Sequence, residues 1–180
     1  MRVIPHTRSM MKRARQKALA LGLLNDSITA GTGTAAGYLG EEIVAAYLGA
    51  EIVSDRAGTD KYDHDLRLGG MRIEVKTKRR TVPPLPHYTV SIAETSLHQM
   101  PDVYIFVSLQ FARSTRSATG VQYFNLIDAW LLGQKAPSEF LRQATKLNPG
   151  DVDQSNDFTA HATMYNLPIA RLDAWESFLV

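Results

Sequence analysis

Two consecutive glycines, Gly69-Gly70, separate two short segments in which apolar and polar residues alternate, 63–68 and 71–77. A Gly-Gly pair tolerates the positive φ angles of a tight turn, and the alternation has the period of a β-strand. The sequence therefore predicts a β-hairpin over residues 63–77. This feature constrains the fold strongly, because it fixes two adjacent antiparallel strands and the faces of their side chains.

The second strand of this hairpin carries an acid and a lysine two residues apart. The strand period places Glu74 and Lys76 on one face, while Ile73 and Val75 point to the other. The carboxylate and the ammonium should therefore meet while the apolar pair packs. Such an arrangement suits a divalent metal ion and a water molecule. The simpler alternative is an exposed Glu74–Lys76 salt bridge, which would contribute little.

The remaining elements alternate between helices and strands. Helices are predicted over residues 8–24, 35–48, 94–100, 128–132 and 137–147, and from Leu172 onward. Strands are predicted at 51–54, 88–92, 103–109, 121–127 and 163–167. The continuous apolar run at 103–109 is typical of a strand buried on both faces. The order predicts an α/β protein with a mixed central β-sheet flanked by helices.

The composition fits one globular unit. The chain has 180 residues, of which 44% are hydrophobic and 21% charged, and this length is sufficient for a substantial core. It has no cysteine, which excludes a disulfide framework, a thiolate metal site and a cysteine nucleophile. No apolar stretch approaches the roughly 20 residues that span a bilayer. We therefore expect no membrane partner and a cytoplasmic location.

Basic residues are clustered although the net charge is only +2. Six precede Asp26, before which there is no acid, and the predicted helix over 8–24 carries five of them. A second cluster, Lys78-Arg79-Arg80, directly follows the Glu-x-Lys strand. Such a run can hold nucleic-acid phosphates independently of sequence, or it can be a solvated strand end. The first of these interpretations predicts nucleic-acid contacts at Lys78, Arg79 and Arg80.

The acids of the hairpin could bind a hard cation. Asp65 and Glu74 can supply oxygen ligands from adjacent strands, and the carbonyl of Val75 is a plausible third ligand. Mg²⁺ prefers oxygen ligands and keeps waters that can become nucleophiles, and Mn²⁺ is a possible substitute. Lys76 projects beside them, where its ammonium could orient a water and offset phosphate charge. We expect its removal to reduce catalysis more than metal binding.

Asp65 followed by Glu74-Val75-Lys76-Thr77 resembles the active-site signature of the PD-(D/E)xK nuclease superfamily. The segment from Gly37 to Leu48 resembles the first helix of that superfamily, in which Glu41 would be a further metal-associated acid. The resemblance covers roughly residues 37–109 and lacks the proline of the signature, since His64 precedes Asp65. It implies a restriction-endonuclease-like core, in which a helix precedes a mixed sheet that carries the motif on its second and third strands.

The resemblance also implies an activity and a partner. It indicates a Mg²⁺-dependent deoxyribonuclease, most simply an endonuclease, in which Asp65, Glu74 and Lys76 are catalytic and Glu41 supports them. A single active site would cut both strands of DNA most easily as a homodimer. The alternatives are a nuclease that acts on RNA and a non-catalytic nucleic-acid-binding protein on the same fold. The predicted organisation is a basic helical extension over 1–30 and a nuclease-like domain over 31–180.

Two assignments stay open at the level of sequence. Asp63 shares a strand face with Asp65 and could be the ligand instead, although Asp65 directly precedes the apolar Leu66-x-Leu68 pattern. On the preceding helix, Glu41 fits the resemblance by its spacing from Gly37, whereas Glu42 lies nearer the apolar stripe. The resemblance also makes Gln99, at the end of the predicted helix over 94–100, a further polar candidate near the metal, as in some branches of the superfamily.

Overall fold

A computed structural model describes residues 1–20, 32–53, 64–99, 101–112, 125–155 and 158–175. Three α-helices are present in these ranges: α1 (Arg8–Ala20), α2 (Thr32–Leu48) and α3 (Pro137–Gln143). The strands are β1 (Arg2–Ile4), β2 (Glu51–Ile52), β3 (Leu66–Leu68), β4 (Met71–Arg80), β5 (Thr89–Ala93), β6 (Val103–Phe111), β7 (Leu126–Lys135), β8 (Thr145–Leu147), β9 (Val152–Asp153), β10 (Phe158–Thr159) and β11 (Met164–Pro168).

The largest sheet has six strands in the order β1-β7-β6-β4-β3-β2. Only the β4–β6 pair is parallel, and the other neighbours are antiparallel. A second sheet has the order β5-β11-β8, and β9 pairs with β10. The prediction of an α/β protein with a mixed sheet is therefore confirmed.

Two apolar clusters cover the two faces of the main sheet. On one face, α1 and α2 pack on the odd-numbered residues of β4 and β6, including Ile73, Val75 and Ile105. On the other face, Tyr104 and Phe106 of β6 pack with Phe140 of α3 and with the second sheet. Strand β6 is buried along its whole length, as its apolar run predicted. Glu74 and Lys76 consequently face the second sheet, away from α2.

Helix α2 and strand β4 approach each other at a glycine. A Cβ atom at Gly40 would overlap the hydroxyl of Thr77 on β4. Gly37, one turn earlier, has open space around it instead. The absence of a side chain at Gly40 therefore sets the close spacing between the helix and the strand.

Several predicted elements differ from those observed. The helix predicted at 128–132 is wrong, because these residues lie within β7 between β1 and β6. A short, mostly apolar segment does not distinguish a strand from a helix. The helix predicted over 137–147 ends at Gln143, where β8 follows. The helix predicted at 94–100 is one 3₁₀ turn, Glu94–Ser96. Asp173 forms an extended bridge with Gln134 at the start of the predicted terminal helix, whose residues 176–180 lie outside the described residues.

The first twenty residues take part in the main sheet and its core. Strand β1 pairs with β7, and α1 packs against α2. Ile4 and Ala14 are each only 1% exposed. The sequence predicted a helical extension over 1–30, and its boundary at residue 30 lies outside the described residues. In the described parts of the chain, no helix has the length and apolar character needed to cross a membrane.

Candidate active site

The predicted hairpin is formed by β3 and β4. Leu66 pairs with Ile73, and the turn between the strands uses positive φ angles at Gly69 and Gly70, 53° and 90°. Beyond Leu66 the backbone N–H of Asp65 still donates to the carbonyl of Ile73 at 3.0 Å. The next position of the ladder is filled by a side chain, since the N–H of Val75 donates to Oδ2 of Asp65 at 2.7 Å.

Because the side chain of Asp65, rather than a backbone carbonyl, accepts this hydrogen bond, the Val75 carbonyl lies beside Asp65. In an extended strand the N–H and C=O groups of one residue point to the same side. Because the N–H of Val75 points to Asp65, its carbonyl lies on that side of β4 as well. The predicted carbonyl ligand and the predicted aspartate ligand are therefore neighbours.

Glu74 and Lys76 meet on one face of β4, as their spacing predicted. Lys76 Nζ lies 2.7 Å from Glu74 Oε1 and donates a second hydrogen bond to Gln99 Oε1 at 3.0 Å. Glu74 is only 4% exposed, so the alternative of an exposed salt bridge does not describe this pair. The second oxygen, Glu74 Oε2, is buried without a hydrogen-bond partner among the described residues. A buried carboxylate oxygen in this state is ready to accept a donor or a cation.

The adjacent glutamates of α2 have different surroundings. Glu42 is bound by α1, because Arg13 donates to both of its carboxylate oxygens and Lys17 lies 3.9 Å away. Glu41 is 8% exposed, and its negative charge acts on Asp65. The structure therefore associates Glu41, rather than Glu42, with the acids of the hairpin. Asp63, the other alternative, lies outside the described residues.

The carboxyl group of Asp65 has a strongly raised pKa. Burial raises its pKa well above the ordinary value of 3.8, and the charges of Glu41 and Glu74 raise it further. The hydrogen bond from Val75 and the charge of Lys76 oppose this rise. The charges of Glu41 and Glu74 thus disfavour the ionisation of Asp65, and a bound cation would relieve this repulsion.

The oxygen atoms present fit a magnesium ion better than a metal that needs nitrogen or sulfur. No group of three or more histidine, aspartate or glutamate side chains in the described ranges is arranged to hold a metal ion. Mg²⁺ is usually bound by one or two carboxylates and keeps several waters. Asp65, Glu74 and the Val75 carbonyl can supply these few oxygen ligands. The buried Glu74 Oε2 has no hydrogen-bond partner among the described residues that would compete with a metal ion.

The basic run after Lys76 is divided between two faces of β4. Lys78 Nζ donates to the carbonyl of Thr89 at 3.2 Å, and Arg80 donates to the same carbonyl at 3.0 Å. Arg79 instead lies over the ring of Phe111, 5.1 Å from its centroid, and is exposed. Burial, with a smaller effect of Arg80, lowers the pKa of Lys78 to about 8. Lys78 and Arg80 therefore lie on one face of β4 and Arg79 on the other, and their contact with nucleic acid stays a prediction.

Two contacts of the site were missed or left undecided by sequence reasoning. Gln99 was a weak candidate, and its hydrogen bond to Lys76 spans 23 residues, so no local spacing indicates it. The pairing of Arg13 with Glu42 spans 29 residues, and the only signal was a basic helix without acids of its own.

No protein-family model matches this chain, and no curated protein matches its sequence.

Proposed function

We propose that the chain is a Mg²⁺-dependent nuclease of the PD-(D/E)xK type, which hydrolyses phosphodiester bonds in DNA, most simply as an endonuclease. The observation that carries this proposal is the ion pair of Lys76 with the buried Glu74, beside Asp65, on whose carboxyl group the charges of Glu41, Glu74 and Lys76 all act. Helix α2 followed by β3 and β4 in a mixed sheet supports a restriction-endonuclease-like core. The cytoplasmic location and a homodimer remain predictions.

In this proposal Asp65 and Glu74 hold the metal ion, together with the carbonyl of Val75. These residues would hold Mg²⁺, which would supply a more acidic coordinated water and positive charge for the transferring phosphoryl group. Metal binding would require both carboxylates to be ionised. Asp65 would therefore have to release the proton that its raised pKa makes it retain. Glu41 adds negative charge that acts on Asp65.

Besides the metal ion, Lys76 brings a positive charge to the site. Glu74 and Gln99 fix its ammonium from two directions, so its position is defined before substrate binds. Its third N–H can orient a water molecule or donate to a phosphate oxygen. Such a donor is most effective where charge develops in the transition state, and it needs no reorganisation there.

The test is cleavage of plasmid, linear duplex, branched DNA and RNA, each with Mg²⁺ or with EDTA. We expect DNA cleavage only with Mg²⁺, and a loss of about 10²–10³-fold in Lys76→Ala and Asp65→Asn. Lys12→Ala and Glu51→Gln, which change exposed side chains of the same charge types, should keep full activity. Cleavage that persists in EDTA, or in both site variants, would contradict the mechanism.

The same assay separates the alternatives. Mg²⁺-dependent cleavage of RNA with no cleavage of DNA would identify a ribonuclease. Tight DNA binding without cleavage under any divalent metal would favour a non-catalytic binding protein. Both outcomes would overturn the proposed deoxyribonuclease.

A further inference from the structure

Three prolines lie in the connection between β4 and β5, where the sequence runs Val82-Pro83-Pro84-Leu85-Pro86. Each proline fixes its own φ near −65°, and a residue that precedes a proline is restricted to extended backbone. Every one of these five residues is a proline or precedes one. The sequence therefore favours the polyproline II conformation, which has no internal hydrogen bonds. We call residues 82–86 the proline segment.

The apolar side chains of the proline segment are exposed in a pattern with a period of three. Val82 is 40% exposed and Leu85 is 43% exposed, and Pro83 and Pro86 are exposed as well, whereas Pro84 is buried. Polyproline II has three residues per turn, so residues 82 and 85 share one edge and residues 83 and 86 share another. The third edge, with Pro84, therefore packs on the protein, and the other two edges remain accessible.

Contacts with the rest of the fold hold the proline segment in place. The backbone N–H of Tyr88 donates to the carbonyl of Leu85 at 3.0 Å, which closes a turn at the end of the segment. The carbonyl of Pro86 accepts from the N–H of Ala170 at 2.9 Å. Across the base of the loop, the guanidinium of Arg80 lies 4.7 Å from the centroid of the Tyr88 ring. A segment ordered in this way loses little conformational entropy when a partner binds it.

The backbone of the proline segment can offer hydrogen-bond acceptors to a partner. The carbonyls of Val82, Pro83 and Pro84 accept no hydrogen bond from the described residues. Prolines have no N–H to donate. A complementary surface therefore needs donors together with flat apolar area. Tyrosine and tryptophan side chains combine the two, because each has an aromatic ring and one O–H or N–H group.

We propose that the proline segment docks into an aromatic-lined groove of a partner protein. Its two apolar residue–proline pairs, Val82-Pro83 and Leu85-Pro86, repeat after three residues, which corresponds to about 9 Å along polyproline II. Each pair would pack between aromatic side chains, and the free carbonyls would accept from their polar groups. Grooves of this kind recognise the Pro-x-x-Pro spacing that Pro83 and Pro86 provide. The inference does not depend on the proposed nuclease activity.

Calorimetric titration of the whole chain tests the docking, with one SH3, one WW and one EVH1 domain as probes. We expect saturable binding of at least one domain, and an affinity at least about tenfold lower in Leu85→Ala and in Pro83→Ala. Leu19→Ala, which truncates an exposed leucine of α1, is the matched control and should bind like the wild type. Binding of none of the three domains, or equal affinity in Leu85→Ala and the wild type, would overturn the proposal.

A synthetic peptide of residues 79–89 tests whether the folded chain presents the segment. We expect the whole chain to bind the same domain at least as tightly as the peptide, because the fold has already ordered the backbone. A whole chain that binds about tenfold more weakly than the peptide would overturn the proposal, since the packing of Pro84 would then hide the groove-binding edges.

Duplex DNA is the competing occupant, because exposed apolar side chains can also wedge between base steps. DNA binding is measured in a Lys76→Ala background, with and without Leu85→Ala. We expect equal DNA affinity in both, and a urea midpoint for Leu85→Ala like that of Leu19→Ala. A loss of DNA affinity of about tenfold on Leu85→Ala, with none of the three domains bound, would identify a nucleic-acid wedge and overturn docking to a protein.

Discussion

At the scale of single residues, the site depends on how Lys76 is held. Its ammonium has two acceptors, Glu74 at 2.7 Å and Gln99 at 3.0 Å. Glu74 balances its charge, while Gln99 restrains its direction without adding charge. An isolated exposed ion pair would leave a lysine mobile and contribute little. The additional amide contact makes Lys76 suitable for a defined position next to a phosphate.

Replacing Gln99 should therefore impair catalysis through Lys76. We expect Gln99→Ala to lower kcat about tenfold, because the ammonium loses a hydrogen bond that orients it. KM and Mg²⁺ affinity should change little, since the side chain of Gln99 bonds to Lys76 and, among the described residues, to none of the three proposed metal ligands. Gln143→Ala, which removes an amide contact to Glu139 in α3, is the control. An unchanged kcat, or an increase in KM alone, would contradict the positioning role.

Asp65 makes stability depend on pH in a direction that follows from its raised pKa. The unfolded chain releases this proton near the ordinary pKa of 3.8, whereas the folded chain keeps it to higher pH. The unfolded state therefore binds fewer protons between these two values, and stability falls as the pH rises through that window. Below pH 3.8 the difference in free energy of unfolding between the wild type and a variant that is uncharged at position 65 should disappear.

Asp65→Asn tests this dependence by urea unfolding in EDTA. At pH 7 we expect the variant to have a free energy of unfolding about 0.5–2 kcal/mol higher than the wild type, because an unfavourable buried charge is removed. An asparagine oxygen can still accept the hydrogen bond from Val75. Glu51→Gln, on an exposed acid, should show no such gain. An Asp65→Asn variant less stable than wild type at pH 7 would contradict the proposed repulsion.

At the scale of elements, the distance between α2 and β4 determines where Glu41 lies. Gly40→Ala would place a methyl group against Thr77, so either the helix or the strand must move. We expect a loss of about 1–3 kcal/mol in stability, measured by urea unfolding, together with reduced activity. Gly37→Ala, in open space on the same helix, should instead add about 0.5–1 kcal/mol. Similar effects of the two substitutions would contradict this close approach.

The elements differ in how well the sequence predicted them. The hairpin could be predicted because its turn chemistry and its period of two agree, and α2 because Gly49 ends it with φ of 68°. The part of β7 after Ile127 was not predicted, because a short, mostly apolar segment does not distinguish a strand from a helix. The stretch 145–147 becomes β8 only through its pairing with β11, a contact distant in sequence.

At the scale of the whole molecule, the fold decides between residues that the sequence left equivalent. Glu41 and Glu42 are adjacent on α2, and only the packing of α1 shows that Arg13 engages Glu42. The same packing brings the basic N-terminal helix into the core, where sequence reasoning placed an extension. Glu74 and Lys76 could be paired from strand geometry alone, whereas their relation to Gln99 and Glu41 required the tertiary structure.

The most direct measurement of the proposed metal site is the effect of Mg²⁺ on unfolding of the whole chain. Ligand that binds only the folded state stabilises it, by about 2.7 kcal/mol at about 100 times its Kd. We expect this gain in the wild type and in Lys76→Ala, and its loss in Asp65→Asn. A wild type that Mg²⁺ does not stabilise, or an Asp65→Asn variant stabilised as much as the wild type, would contradict the proposed metal site.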